Sequence, residues 1–432
     1  MVGAAHRHSP GRIDATVSAS PPRSRVLQVT STAQIGGAEQ LALRLLEHYD
    51  RSRFEMAVVA MEPEGPFLDE AARTGVEATG LPSQNPFSAR TRRAFAALLE
   101  SGGFSLVHIH GLRADILARG LVRRAGPSGP STAPACVSAI HSPDPWRRFY
   151  HVWADRWTAR GGRVDLFISV SEVGRRSRIE REKFPPEKII VIPNGVDPER
   201  VERKGEVCDH KETDDSAVAA GASGSSWRDG KRPGAAIAEN SGAACERCGL
   251  PTNGGPLVVI VSNLRYMKGH YDAIRALAFL REDFPGLRFV FAGRDDTAGK
   301  VEAAAREAGV HDRILFCGFV PDPFPLMRAA DVFCMPSHWE GSPTALLEAM
   351  ALGCAIVATT GGGTPEIVRH EREALLVDPR DPRALAAAIA RLLRDRDLGR
   401  RLGAVARERV REDFTAQQMV ARIEEAYAEL LA

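Results

Sequence analysis

Residues Asp331–Val368 read DVFCMPSHWEGSPTALLEAMALGCAIVATTGGGTPEIV. The stretch opens with an apolar run of strand length, Asp331–Met335, followed by a loop carrying Glu340 and Gly341. Ser342 reads as a helix N-cap and Pro343 as the first helical residue, where a missing N–H costs nothing. The helix Thr344–Leu352 stops at Gly353, a permissive C-terminal residue. A second buried strand, Ala355–Thr360, empties into Gly361–Gly363, and Thr364 and Pro365 open another helix with Glu366 in its first turn. Strand, loop and helix, twice over, predict a parallel α/β sheet that binds ligands at the carboxyl ends of its strands. Each helix start offers unpaired N–H groups and a positive dipole end to a phosphate or a sugar hydroxyl. Glu348, in the second turn, is placed to grip a diol with both oxygens, as acidic residues grip ribose in nucleotide sites.

Two glutamates seven residues apart are a weak signal. The full string P-S-x-x-E-G-x-x-x-x-L-L-E-A-M-A-x-G, followed by G-G-x-x-E-I-V, is specific, because it sets strand, cap, helix, stop and second glycine loop together. It resembles the retaining GT-B glycosyltransferases of family 4 (glycosyl transferases group 1). The resemblance implies two Rossmann-like domains facing across a cleft, with the C-terminal helix crossing back to the first. It also implies that Glu348 binds the ribose of a nucleotide-sugar donor, and that Glu340 and the backbone of Gly341, Ser342, Pro343 and Thr344 lie near the donor sugar. The family often has Gly-Phe-Gly after its first glutamate, where this chain has Gly341-Ser342-Pro343.

The chain has 432 residues, which suits two domains rather than one core. Its formal charge of +2 gives no global field for nucleic acid. No apolar run is long enough to span a membrane. Residues 1–25 mix His, Arg, Ser and Pro without an apolar signal core and read as a disordered leader. Cys136, Cys317 and Cys334 fall in predicted strands, which fits reduced core thiols in a cytosolic protein.

Residues 26–201 read as the first, acceptor-side domain. Val26–Thr30 is a buried strand, and Gly36-Gly37-Ala38-Glu39 leads into a helix over Glu39–Tyr49. Strand, Gly-Gly and helix make either a phosphate or sugar cradle or a plain tight turn. The family carries Gly-Gly-x-Glu here, near acceptor and donor phosphate, which assigns Gly36 and Gly37 to that side. His108 and His110 alternate with Val107 and Ile109 and so share one face of a strand end, and His141 closes the next strand. Capped strand ends with satisfied imidazoles are the plain reading, and metal binding fits poorly without Cys or carboxylate partners. By resemblance His141 is catalytic and His110 acceptor-side. Within Pro145–Gly161 the residues Trp146, Phe149, Tyr150, Trp153 and Trp157 recur at helical spacing among arginines. Either they form a core-facing stripe with snorkelling arginines, as burial preferences favour, or residues 146–161 form an interfacial helix touching a membrane. The P-N-G-V-D string at Pro193–Asp197 resembles the family's hinge.

Residues 202–255 lose apolar periodicity and read as a disordered hinge insertion. A zinc site from Cys208, His210, Cys245 and Cys248 is a weaker alternative. Residues 256–414 form the nucleotide-sugar domain, and 415–432 the crossover helix. Lys268 matches the family's Lys-Gly, whereas Asn263 stands at the motif arginine and Arg265 lies two residues on. Gly293 and Phe319 close strands that border the donor base by resemblance, and Gly362 and Gly363 complete the donor side.

A departing nucleoside diphosphate needs its growing charge stabilised. With no D-x-D string near a strand end, Lys268 and Arg265 with helix-end amides take that role, so no metal and no cofactor is expected. The partners implied are a nucleotide-sugar donor and a saccharide or lipid-linked acceptor, in bacterial polysaccharide or glycolipid synthesis. The place implied is cytoplasmic, peripheral on the membrane if the aromatic helix touches lipid. Three rivals stand: a glycosidase using Glu340 and Glu348, a GT-B nucleotide-sugar epimerase, and a non-catalytic nucleotide-sugar-binding partner.

Overall fold

The computed structural model describes residues 23–122, 133–142, 149–206 and 255–432. The sequence reading of the 1–22 leader, of most of the insertion, and of its Cys and His residues lies outside them.

Two parallel sheets carry the fold. The first contains β1 (Ser24–Thr30), β2 (Phe54–Ala60), β3 (Glu77–Gly80), β4 (Leu106–His110), β5 (Ala135–Ile140), β6 (Leu166–Ser169) and β7 (Ile189–Val191). Their spatial order is β3-β2-β1-β4-β5-β6-β7. The second contains β8 (Leu257–Val261), β9 (Arg288–Ala292), β10 (Ile314–Gly318), β11 (Val332–Met335), β12 (Ile356–Thr359) and β13 (Leu375–Val377), in the order β10-β9-β8-β11-β12-β13. Strands such as Leu257–Val261 (LVVIV) are apolar on both faces because helices cover both sides of a parallel sheet. Each sheet reverses its winding beside its first strand, between β1 and β4 and between β8 and β11. A crevice opens at such a switch point, at the carboxyl ends of the strands. The GT-B architecture expected from the sequence is the observed one.

The last helix, Ala416–Leu431, belongs to the first domain by packing. Its Met419, Val420, Ile423 and Tyr427 join the core formed by β1, β2 and the helix Gly37–His48. Thr415 and Gln418 cap it reciprocally. The chain therefore crosses between the domains twice, and the two crossings touch. Val196 N–H donates to Phe414 O at 2.9 Å, and Ala416 N–H donates to Val196 O at 2.6 Å. A Cβ on Gly195 would lie 2.3 Å from the Thr415 carbonyl oxygen, so the P-N-G-V-D glycine is required by this close approach.

Three local expectations change. The helix starts at Thr344 with Pro343, not Ser342, at the N-cap, and no side chain caps it. Ser342 is diverted to the hinge: its Oγ accepts from Asn194 N–H at 3.1 Å, and its carbonyl accepts from Asn194 Nδ2 at 2.7 Å. The helix Pro198–Glu206 runs through position 202, where the insertion was expected to begin. In the helix Phe149–Ala159, Asp155 and Thr158 face inward. The aromatics expected in the core are exposed, Phe149 by 84 %, Trp153 by 61 %, Trp157 by 49 % and Tyr150 by 45 %. The cause is Arg119, fully buried beneath this helix, which needs counter-charges and takes Asp115 at 3.0 Å and Asp155.

Ile423 is 1 % exposed in the shared core. Ile423→Ala should destabilise the protein by about 2–5 kcal/mol, as large-to-small core changes do. Urea unfolding followed by circular dichroism measures it, and a change below about 0.5 kcal/mol would mean the crossover helix is not part of the first domain's core.

Candidate active site

The carboxyl ends of both sheets face one another across a cleft of about 1550 Å³. The first domain contributes the loop after β1, the helix Gly37–His48 and His141; the second contributes the loops after β8, β9, β10 and β11. Gly36, Gly37, His141, Arg265, Lys268, Gly293, Phe319, Glu340, Gly341, Ser342, Pro343, Thr344 and Glu348 all line it.

Glu348 is buried, and its Oε1 accepts from Arg44 Nη2 of the first domain at 3.0 Å. Burial pushes the Glu348 carboxyl above the usual carboxylate range against the pull of Arg44. Burial equally lowers the Arg44 guanidinium, against the pull of Glu348. For both partners desolvation outweighs pairing, so the ion pair is a costly arrangement rather than a strong clamp.

Lys268 Nζ reaches Glu340 Oε1 at 2.7 Å, which ties the loop after β8 to the loop after β11. Each glutamate thus has its own cation, and the glycosidase arrangement of one acid and one base across a bond is not the one seen. Arg265 lines the cleft, but it is largely exposed and its Nε is held by Asp296 at 2.6 Å. Asn263, at the motif arginine, accepts from the Arg294 backbone N–H at 3.1 Å. Arg294 also lines the cleft, and its Nε is buried with no hydrogen-bond partner among the described residues. Sequence reading missed Arg294, although Gly293 directly before it, expected to border the donor base, was a signal. It missed Arg44 and Trp339 too; Trp339 lines the cleft, and its buried Nε1 has no hydrogen-bond partner among the described residues.

Three expected site residues lie elsewhere. Gly362 and Gly363 are not among the cleft's lining residues. They pack behind it: Gly363 N–H donates to Glu340 O at 3.0 Å, and a Cβ on either glycine would fall about 2 Å from the Glu340 or Gly341 carbonyl. The glycine run admits backbone, not ligand, and positions the Glu340 loop. His110 is 1 % exposed, so it is not an acceptor contact. It lies beneath His141, with Nδ1 3.1 Å from His141 Nε2. A Cβ on Gly341 would sit 2.2 Å from the His141 carbonyl, so this glycine brings the two domains into contact beside His141.

Gly36 and Gly37 do open a helix into the cleft, but the helix supplies its own anion. Glu39, its third residue, folds back over Gly36, and the Gly36 and Glu39 backbone N–H groups favour its charged form. Burial nevertheless pushes this carboxyl up to about 7. Glu366 similarly spans the domains: its two oxygens accept the Glu172 and Val173 N–H groups at 2.8 and 2.9 Å, at a helix start in the first domain. No cluster of His, Cys, Asp and Glu suited to a metal is present among the described residues.

The family model for glycosyl transferases group 1 matches residues 249–409, and that for glycosyltransferase family 4 matches residues 35–200. The chain is 34% identical over 177 residues to a GDP-mannose-dependent alpha-(1-6)-phosphatidylinositol monomannoside mannosyltransferase of Mycobacterium tuberculosis, covering 39% of this chain and 46% of the relative. It is 36% identical over 152 residues to a 2-deoxystreptamine glucosyltransferase of Streptomyces kanamyceticus, covering 35% and 39%. The matched stretch thus spans less than half the length of these relatives. In fold, the chain superposes on Anabaena Alr3699/HepE in complex with UDP and glucose with a TM-score of 0.75, at 18% identity over 94% of this chain and 100% of that one. It also superposes on WaaG, a glycosyltransferase involved in lipopolysaccharide biosynthesis, with a TM-score of 0.64 at 16% identity, covering 92% and 98%.

Glu39 gives a stability test. Its raised pKa means the folded state holds a proton that the unfolded chain releases near 4.5. Stability from that group is complete below 4.5 and is lost as pH rises to about 7. Glu39→Gln should therefore gain on wild type across that window, by at most about 3 kcal/mol above pH 7. Denaturant midpoints against pH measure it; parallel curves would refute the burial cost.

Proposed function

Since the chain belongs to the glycosyl transferases of group 1 and family 4, we propose that it is a retaining hexosyltransferase. It moves a hexose-type sugar from a UDP- or GDP-sugar to a saccharide or lipid-linked acceptor. The observation that carries this reading is Glu348, a buried carboxylate at the switch-point cleft whose one cation comes from the opposite domain. In the loaded cleft Glu348 gives up Arg44 and takes the ribose hydroxyls. Phe319 and Gly293 border the base, and Glu340 and Gly341–Thr344 lie along the sugar.

The bond between the anomeric carbon and the outer phosphate oxygen breaks, and the electron pair leaves with the nucleoside diphosphate. Lys268, Arg294 and the amides at the start of the helix Thr344–Ala351 stabilise that charge, with Arg265 in support at the rim. Those fixed donors support a metal-independent transfer, which should persist in EDTA. His141 stands on the acceptor side of the reacting carbon. Retention of the anomeric configuration rests on the family resemblance.

The acceptor reading draws on the relatives, one of which is named for a phosphatidylinositol mannoside, and on the exposed aromatic helix. Phe149, Tyr150, Trp153 and Trp157 stand outward. Arg156 and Arg160 are exposed beside them, and Arg163 stacks on Trp157 at 5.4 Å. This combination fits an anionic lipid surface, with rings at headgroup depth and guanidinium groups on phosphate. No helix among the described residues is long and apolar enough to cross a membrane. We place the protein at the cytoplasmic face of the membrane, in bacterial glycolipid or polysaccharide synthesis.

Proton NMR with a panel of UDP-, GDP- and ADP-sugars tests the transferase. We expect slow release of nucleotide from one donor, faster release with a mixed acceptor pool, and loss of both in Glu348→Ala. Interconversion of sugars on an intact nucleotide would mean an epimerase, and binding without turnover a silent partner. For the membrane, flotation with anionic vesicles at low salt should carry the protein. The Trp153→Ala/Trp157→Ala double variant should bind about tenfold more weakly or less, from lost apolar burial. No flotation of the wild type would end the lipid reading.

A further inference from the structure

Five polar side chains of the first domain form one buried chain that ends at the cleft. Tyr427, on the crossover helix, has its hydroxyl 2.6 Å from His108 Nδ1. Gln28 Nε2 donates to the same hydroxyl at 3.2 Å, and Gln28 Oε1 lies 2.8 Å from His110 Nε2. His110 Nδ1 lies 3.1 Å from His141 Nε2, with the two rings stacked at 5.3 Å. Gln28, His108, His110 and Tyr427 are each at most 1 % exposed.

The direction of each bond follows from the last. Gln28 donates to the Tyr427 oxygen, so the tyrosine's own proton goes to His108. The Gln28 oxygen can only accept, so His110 carries its proton on Nε2. His110 is neutral, because burial and the neighbouring His108 and His141 hold its imidazolium form well below its ordinary range. Its Nδ1 is then a lone pair, and the bond to His141 requires the proton on His141 Nε2. Turning the Gln28 amide over would reverse every link together.

We propose that Gln28, His110 and Tyr427 are positioning residues that lock the ring and tautomer of His141, with its Nε2 turned inward to His110. The proposal rests on the transferase reading only for what His141 does in the cleft; the tautomer stands by itself. It gives the crossover helix a second role, since Tyr427 anchors the far end of the chain. A core network that merely satisfies its own polar groups would have the same distances. It would not tie turnover to the proton's place on His141.

The test uses the full chain with nitrogen-labelled histidines and long-range proton–nitrogen spectra, His141 being assigned by His141→Gln. Wild type should show His141 protonated on Nε2. His110→Phe should show mixed tautomers, with kcat lower by between about tenfold and about a hundredfold, the usual cost of losing a group that orients a working histidine. Donor KM should hold. His110→Asn, whose amide can still meet His141, should keep the tautomer and most of kcat, which separates positioning from misfolding. A proton on Nδ1 in the wild type overturns the proposal, as does His110→Phe with unchanged tautomer and kcat. If the wild type turns over no donor, the transferase reading fails while the spectra still decide the tautomer.

Discussion

A carboxylate taken out of water at the mouth of two sheets is the constraint on which the site depends. Glu348 sits where the helix Thr344–Ala351 leaves the switch point of the second sheet, and burial raises its pKa. Something must hydrogen-bond it. In the structure that group is Arg44, 304 residues away in sequence and in the other domain. The pair links the halves, but at a desolvation cost both partners bear. In the proposed function a ribose takes the place of Arg44 on this carboxylate.

The remaining contacts between the domains serve the same registration. Gly195 lets Thr415 approach, so that the two crossings hydrogen-bond. Gly341 lets the His141 carbonyl approach, Asn194 holds Ser342, and Glu366 seats on a helix start of the first domain. Gly195 and Gly341 are thus used where backbone meets backbone. At the hinge, Asn194 and Ser342 hold a loop of the second domain, while Asp197 accepts from Arg200 N–H at the start of the next helix. The crossover helix completes the first core through Met419, Val420, Ile423 and Tyr427.

Much of the second domain was readable because its signals are local. Buried strand, Pro343, Thr344–Ala351, Gly353 and the next strand follow one another with turn chemistry that admits few alternatives. What stayed hidden depends on partners distant in sequence. No pattern around Arg44 announces Glu348, and none around Ser342 announces Asn194. Gly362 and Gly363 read as ligand glycines because a glycine loop looks the same whether phosphate or the Gly341 backbone fills it. The aromatic helix read as core-facing because its inward face is set by Asp155 answering a buried Arg119, a contact spanning 36 residues. His110 was placed on the right strand face but one layer too shallow.

Calorimetric titration of UDP and GDP, each beside its 2′,3′-dideoxy counterpart, tests the central claim most directly, in wild type and Glu348→Gln. If Glu348 trades Arg44 for the ribose, one ribonucleotide should bind the wild type at least about tenfold more tightly than its dideoxy form, a gap of about 1.4 kcal/mol. That gap should shrink towards nothing in Glu348→Gln. Equal affinity for the two forms in the wild type, or an undiminished gap in the variant, would contradict the account.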